Sequence, residues 1–203
     1  MTPKIILAST SPYRKELLLR ISTTFESIKP LLNEKKLKHD LLSDLKTPIE
    51  IAEELALGKA LSVKPTETHY TIIAGDQLVA LNNQIIGKPG SKELAIKQLQ
   101  QMSGKSHELI TSVVLIHVSP EKKITQKKIN HISKMTMKEL TLAEISQYVE
   151  IDQPYDCAGS YKIESHGIGL FQEIKTDDFT AIQGLPLIWL SQQLKEFGHG
   201  LFQ

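Results

Sequence analysis

Ile5-Ile6-Leu7-Ala8-Ser9-Thr10-Ser11-Pro12-Tyr13-Arg14-Lys15-Glu16-Leu17-Leu18 decides how the rest of this chain is read. Four apolar residues predict a short strand, and a run of small hydroxyl residues predicts a turn after it. Ser11 then suits a helix N-cap and Pro12 the first helical position, where the missing N–H of proline costs nothing. A helix start with N–H groups and serine hydroxyls beside Arg14 and Lys15 is a ready anion site. An ordinary strand–turn–helix with solvated basic residues accounts for the same local pattern.

Outward from this stretch, Phe25 to Ile28 reads as a short strand, and the charged, weakly periodic segment Lys35 to Lys46 as a loop or irregular helix. Thr47-Pro48-Ile49-Glu50 is a capping box, and Ile49, Ala52, Leu55, Ala56 and Ala60 recur at helical spacing behind it. Tyr70 to Ala74 predicts a buried strand, interrupted by Gly75-Asp76-Gln77 before Leu78 to Leu81. Asn82-Asn83 is a tight-turn signal into Ile85-Ile86, Gly87-Lys88-Pro89-Gly90 ends that hairpin, and Ser91 caps a helix running to Gly104. His107 to Val118 and Ile124 to Met137 predict a long hairpin, Thr141-Leu142-Ala143-Glu144 a second capping box, and Leu185 to Phe197 a last helix. Strands and helices alternate without a repeat or a linker, which predicts an α/β domain with a mixed sheet.

The bulk composition narrows the function classes. In 203 residues, 40% are hydrophobic and 23% charged, as in an ordinary globular protein. Lys+Arg of 24 against Asp+Glu of 23 gives no overall field to draw nucleic acid or an anionic membrane, so any polyanion site must be local. Cys157 is the only cysteine, which excludes an intrachain disulfide and a zinc site built on cysteines. The apolar run at Ile5 to Ala8 is too short for a signal peptide, and no run approaches the ~20 residues of a membrane span. A cytoplasmic protein is the expectation.

Three residues suggest chemistry, and each has a plain alternative. Asp76 follows a strand and a glycine, so its carboxylate is expected at a sheet end or bulge, yet an acidic turn residue looks the same. Lys88, between Gly87 and Pro89, could be a solvated turn residue, and Glu34 is one acidic loop residue among many.

Their order along the chain carries a resemblance. The opening stretch resembles the N-terminal signature of the Maf family of nucleoside triphosphate pyrophosphatases, roughly L-A-S-x-S-P-x-R followed by a basic residue and x-L-L. That family continues with an acidic residue after a short strand, a strand ending in Asp, a G-K-P, a glycine-containing segment and a G-L-P-L. Here these are Glu34, Asp76, Gly87-Lys88-Pro89, Gly159-Ser160-Tyr161-Lys162 and Gly184-Leu185-Pro186-Leu187. The resemblance implies a Maf/ITPase-like mixed β-sheet with flanking helices, two lobes around a central cleft, in a single domain over residues 1–203. It also implies hydrolysis of a nucleoside triphosphate to its monophosphate and pyrophosphate, assisted by Mg²⁺ or Mn²⁺. Asp76 is then the proton acceptor for water, Glu34 and Asp76 the metal ligands, and Ser11, Arg14, Lys15, Lys59 and Lys88 the phosphate-binding set. The residue types suit that role, since a triphosphate needs several cationic and N–H donors and Mg²⁺ binds through one or two carboxylates plus phosphate oxygens.

The chain departs from the family pattern at Lys15, often arginine, and at Leu31 and Asn33, where related sequences carry acidic residues; fewer carboxylates weaken a metal site. Within the family, Cys157-Ala158-Gly159-Ser160-Tyr161-Lys162 resembles the branch acting on 7-methyl-GTP, as do Tyr13 and Gln77. The branch acting on dTTP and UTP has a Gln where this chain has Glu164. A Gln amide matches the N–H between two carbonyls of uracil, whereas an ionised Glu accepts from the adjacent N1–H and N2–H of guanine. N7-methylation makes the base cationic, and Tyr13 could stack on it. A core-packing Tyr13 and a surface Glu164 are the plain alternatives. The expected partner is a small-molecule nucleotide, without nucleic acid or membrane, and a homodimer stays open. The competing functions are dTTP/UTP hydrolysis and a nucleotide-binding, septum-associated regulator with weak catalysis.

Overall fold

β1 (Lys4–Leu7) is buried on both of its faces. Ile5 and Leu7 join a cluster with Leu17, Leu18, Leu185, Leu187, Leu190 and Leu194, whereas Ile6 and Ala8 join another with Ala56, Ala60 and Val63. The first set comes from α1 (Pro12–Leu19), α7 (Leu187–Glu196) and Leu185 just before it, the second from α3 (Pro48–Ser62) and the residue after it. Helices on both sides of a strand leave it no polar face, hence the unbroken apolar run in the sequence. The structure is a computed structural model that describes residues 3–200 and 202.

The other elements are β2 (Glu26–Ser27), α2 (Glu34–Ser43), β3 (Tyr70–Leu81), β4 (Gln84–Ile86), α4 (Lys92–Met102), β5 (Ser106–Val118), β6 (Ile124–Met137), α5 (Leu142–Asp152), β7 (Phe171–Lys175) and α6 (Phe179–Gln183). The described strands form a seven-stranded sheet in the order β2-β1-β3-β5-β6-β7, with β4 paired to β3. It is mixed: β1 is parallel to β2 and β3, while β3–β4 and β6–β7 are antiparallel. This is the α/β class expected from the alternation of elements.

Two compact units divide the chain. The first holds residues 1–76, 111–131 and 178–203 and contains both clusters around β1. The second holds 77–110 and 132–177. In it α4 and α5 pack together, burying Ala95, Leu99, Met102, Ile145 and Val149, and the rings of His107, Tyr161 and Phe171 form a cluster. No helix among the described residues is long and apolar enough to cross a membrane.

Local sequence chemistry explains most boundaries. Thr47 and Glu50 form the expected reciprocal box, with Thr47 N–H donating to Glu50 Oε2 at 2.8 Å and Glu50 N–H to Thr47 Oγ1 at 3.3 Å. Thr141 and Glu144 repeat it at α5. Asn82 and Asn83 both take positive φ, 51° and 63°, as a two-residue hairpin turn requires. Two expectations are corrected. Residues 34–43 form a regular α-helix, capped by the Asn33 side chain on Lys36 N–H at 3.1 Å. And β3 runs unbroken through Gly75-Asp76-Gln77, so Asp76 lies within a strand and not at its end.

Among the described residues, several histidines are buried without a carboxylate partner. Thr71 Oγ1 lies 2.8 Å from both His117 Nδ1 and His199 Nε2, and the His117 ring stacks on Phe197 at 4.4 Å. One hydroxyl proton serves one ring nitrogen while the other ring donates to the oxygen, an arrangement that suits two neutral imidazoles. Burial lowers His107 and His199 from 6.5 to about 4. A depressed folded-state pKa gives stability that is full above the unfolded value and lost as pH falls toward the folded one. Each of these two histidines is expected to cost about 2 kcal/mol of stability on going from pH 7 to pH 5. Urea midpoints at the two pH values test this, with His107→Phe flattening part of the slope; equal stability at both would refute it.

Candidate functional site

Asp76 is made available by the way β3 changes neighbours. β1 pairs with β3 as far as Ile73, and β4 begins pairing at Val79, so Asp76 lies between the two ladders. Its side chain is 10% exposed and meets Lys59 Nζ at 2.6 Å. Lys59, in the last turn of α3, is itself 8% exposed and reaches Glu34 Oε2 at 2.9 Å with the same nitrogen. Glu34 opens α2 and is half exposed. Ser62 ties the end of α3 to the segment leading into α2: its hydroxyl donates to Lys59 O at 2.8 Å and accepts from Leu31 N–H at 3.1 Å. A lysine is buried only when it is paired, and here two carboxylates serve one ammonium.

Arg14 completes the charge cluster. Burial pushes its guanidinium down, while Asp76 and then Glu34 act on it in the opposite sense, so both carboxylates lie within its field. Its Nε–H donates to Gly184 O at 3.2 Å. Gly184 has φ of 128°, which a side chain rarely adopts, and a Cβ there would meet Arg14 Cγ at 3.4 Å. The Gly184–Leu187 segment is held by Asp178, whose Oδ1 accepts from Thr180 N–H at 2.9 Å and Oδ2 from Ile188 N–H at 2.8 Å. One buried carboxylate thus caps both α6 and α7. The Ser11 side chain is the N-cap of α1, accepting from Arg14 N–H at 3.4 Å, and Ser9 Oγ accepts from Ser11 N–H at 3.1 Å. The N–H of Arg14 is therefore committed to the cap. Tyr13 is exposed, and Lys15 is half-buried with no side-chain ion pair among the described residues.

Lys88, Gln77 and Glu164 belong to the second unit. Lys88 is exposed, next to the buried Pro89; Gln77 is half-buried and Glu164 exposed. Lys88 and Glu164 share a neighbour in Cys157, whose thiol is raised by burial and then by Glu164, and lowered by Lys162 and Lys88. Gln98 of α4 ties their two segments together, donating to Gly87 O at 3.2 Å and accepting from Ser160 Oγ at 2.5 Å.

Seven of the ten expected site residues fall into two groups, while Tyr13 and Lys15 lie on α1 and Gln77 follows Asp76 in β3. Arg14, Glu34, Lys59 and Asp76 come together in the first unit, with Ser11 at the same helix start; Lys88 and Glu164 come together around Cys157 in the second. Sequence reading passed over Asp178 and Gln98. The Asp178-x-Thr180 cap was a visible signal, but the five-residue α6 behind it is too short to show periodicity. Among the described residues no three His, Cys, Asp or Glu side chains gather as a metal cage. Glu34 and Asp76 do converge on one cationic nitrogen, a donor set that fits a divalent ion drawing its remaining ligands from phosphate oxygens and water.

Removing Lys59 leaves Asp76 buried beside Glu34 with Arg14 as the remaining cation. Lys59→Met is expected to destabilise the protein by about 3 kcal/mol, and Lys59→Met/Asp76→Asn to recover most of that loss. Chemical denaturation of the two variants measures it, and an additive double mutant would break the pairing argument.

The family model described as "Maf-like protein" matches residues 4–197. A protein of Bdellovibrio bacteriovorus named 7-methyl-GTP pyrophosphatase is 47% identical over 192 residues, covering 95% of this chain and 96% of that one. Another of that name, from a Polaromonas species, is 39% identical over 98% of this chain and 86% of its own length. A solved structure, the Staphylococcus aureus Ham1 protein, aligns over 95% of this chain and 98% of its own with 15% identity and a TM-score of 0.46. With its signature residues in order and the family model matched along nearly its whole length, the chain belongs to the Maf family.

Proposed function

We propose that this chain is a nucleoside triphosphate pyrophosphatase that hydrolyses 7-methyl-GTP to 7-methyl-GMP and pyrophosphate, removing a modified nucleotide. The observation that carries the reading is the buried cluster in which Lys59 holds Asp76 and Glu34 beside Arg14. The relatives named for that activity support it at up to 47% identity. The family match at residues 4–197 includes segments of both units, which supports one catalytic domain over residues 1–203. A near balance of 24 basic and 23 acidic residues supports a small nucleotide rather than a nucleic acid as the partner. A cytoplasmic setting is part of this reading.

In this reading water breaks the α–β phosphoanhydride, one of its protons goes to an oxygen of Asp76, and pyrophosphate leaves. Lys59 gives the buried Asp76 a countercharge and a fixed rotamer, so the acceptor oxygen is aimed before substrate arrives. Arg14, anchored through Nε, keeps its terminal nitrogens for phosphate oxygens, and the Ser11 hydroxyl, Lys15 and Lys88 add donors and positive charge. Mg²⁺ or Mn²⁺ entering with the triphosphate would be held by Glu34 and Asp76, and such an ion neutralises phosphate charge and acidifies a bound water. Glu164 accepts from guanine N1–H and N2–H, Tyr13 stacks on the cationic base, and Gln77 offers its amide to the base edge.

Pyrophosphate release from a panel of 7-methyl-GTP, GTP, UTP and dTTP with Mg²⁺ or Mn²⁺ tests the activity. Asp76→Asn is expected to lose at least ~100-fold in kcat while still binding nucleotide, the usual loss for a general base. Turnover within a few-fold of the parent would remove Asp76 from the chemistry. Glu164→Gln is expected to lower kcat/KM for 7-methyl-GTP by ~10-fold and to affect UTP less, because an amide N–H₂ faces a donor on guanine. Equal losses on every base would remove Glu164 from base recognition.

A further inference from the structure

Glu164 sits in a turn whose other polar residues are tied down. Lys162 N–H donates to the Tyr148 hydroxyl at 2.9 Å, and Lys162 Nζ to the main-chain carbonyl of Asp152 at 2.7 Å. The N–H groups of Ser165 and Gly167 both donate to Lys162 O, at 3.2 and 3.0 Å. Gly167 is required there, since a Cβ would lie 2.3 Å from that same oxygen. The far side of the turn is fixed by the Asp152 side chain: Oδ1 accepts from Ser165 Oγ at 3.0 Å and from His166 Nδ1 at 2.6 Å. Ile163 is buried. Glu164 is exposed and makes no hydrogen bond or ion pair among the described residues.

Asp152 is an expensive residue for a helix end. Its side chain is 2% exposed and its Oδ2 is buried without a hydrogen bond. Burial pushes the carboxyl up, but His166 first, then Ser165 and the nearby Tyr148 hydroxyl, hold it below its ordinary value. Closing α5 does not need that charge, because Gln153 already ends the helix in the left-handed conformation, with φ of 45°. Both hydrogen bonds of the carboxylate's Oδ1 go to the turn that carries Glu164.

The geometry points to Asp152 as the positioning residue of Glu164. It makes no contact with the base; it fixes the turn from both flanks, through its side chain and its carbonyl, and thereby sets where the Glu164 carboxylate stands. This rests on the reading of Glu164 as the group that recognises the base, and it adds Asp152, Ser165 and His166 to the determinants of selectivity between 7-methyl-GTP and UTP.

The test is a double-mutant cycle read as the ratio of kcat/KM for 7-methyl-GTP over UTP. His166→Ala is the first variant, because the His166 side chain is 67% exposed and its removal opens no cavity in the core, and thermal melting checks its fold. It is expected to lower the ratio by about 5-fold through KM for 7-methyl-GTP, with kcat within about 2-fold. In the Glu164→Gln background the same substitution is expected to leave the ratio unchanged, since the group being positioned is gone. Asp152→Asn, which keeps an acceptor oxygen, is expected to retain more selectivity than Asp152→Ala, both checked for folding by thermal melting. An unchanged ratio in His166→Ala, with Glu164→Gln lowering it, overturns the positioning role alone. Equal fold losses in both backgrounds also overturn it, as a general structural effect. A Glu164→Gln ratio equal to the parent's overturns the base-recognition reading and this inference with it.

Discussion

A lysine whose side chain is 8% exposed is the constraint on which the first unit depends. An ammonium taken out of water is tolerated only where carboxylates replace its hydration, and Lys59 has two, at 2.6 and 2.9 Å. That requirement draws the end of α3, the start of α2 and the middle of β3 to one point. It accounts for an acidic residue inside a strand that is otherwise uncharged. It also fixes where chemistry could happen, because a carboxylate held in one orientation by a buried partner needs little reorganisation when a proton or a cation arrives. Arg14 enters the same field from the opposite side of β1, fastened to the carbonyl of a glycine that cannot readily be replaced.

Much of this is legible in the sequence. The run Ile5 to Ala8, the reciprocal caps at Thr47 and Thr141 and the paired asparagines at 82 and 83 are local devices, and local devices can be read locally. Two elements were obscured by tertiary causes. α2 buries one leucine, Leu41, so its hydrophobic period is faint, and its strongest signal is the single cap at Asn33. β3 carries Gly75-Asp76, which reads as a break, and only Lys59, 17 residues earlier in the chain, makes an aspartate tolerable there.

The candidate site divides in the same way. Asp76, Glu34 and Lys59 could be named from their order in the chain, but the single nitrogen that joins them could not, because pairing between α2, α3 and β3 has no local signature. Gln98 and Asp152 are invisible in the sequence, and Asp178 shows only its local cap, for a related reason. Each is a polar residue of ordinary type at or near a helix, and each acquires meaning only through the loop it holds: the segment before α7, the two segments joined at Gly87 and Ser160, and the turn after Lys162. Sequence shows which residues could meet a nucleotide more readily than which residues keep them in place.

Cys157 is half-buried, carries the chain's one sulfur nucleophile and lies within the fields of Lys88 and Glu164. The protein is therefore born with a unique thiol for a fluorophore or spin label, in the second unit. A reporter coupled there would stand within the fields of both neighbours without any cysteine having to be removed or introduced, though the raised thiol calls for labelling at alkaline pH.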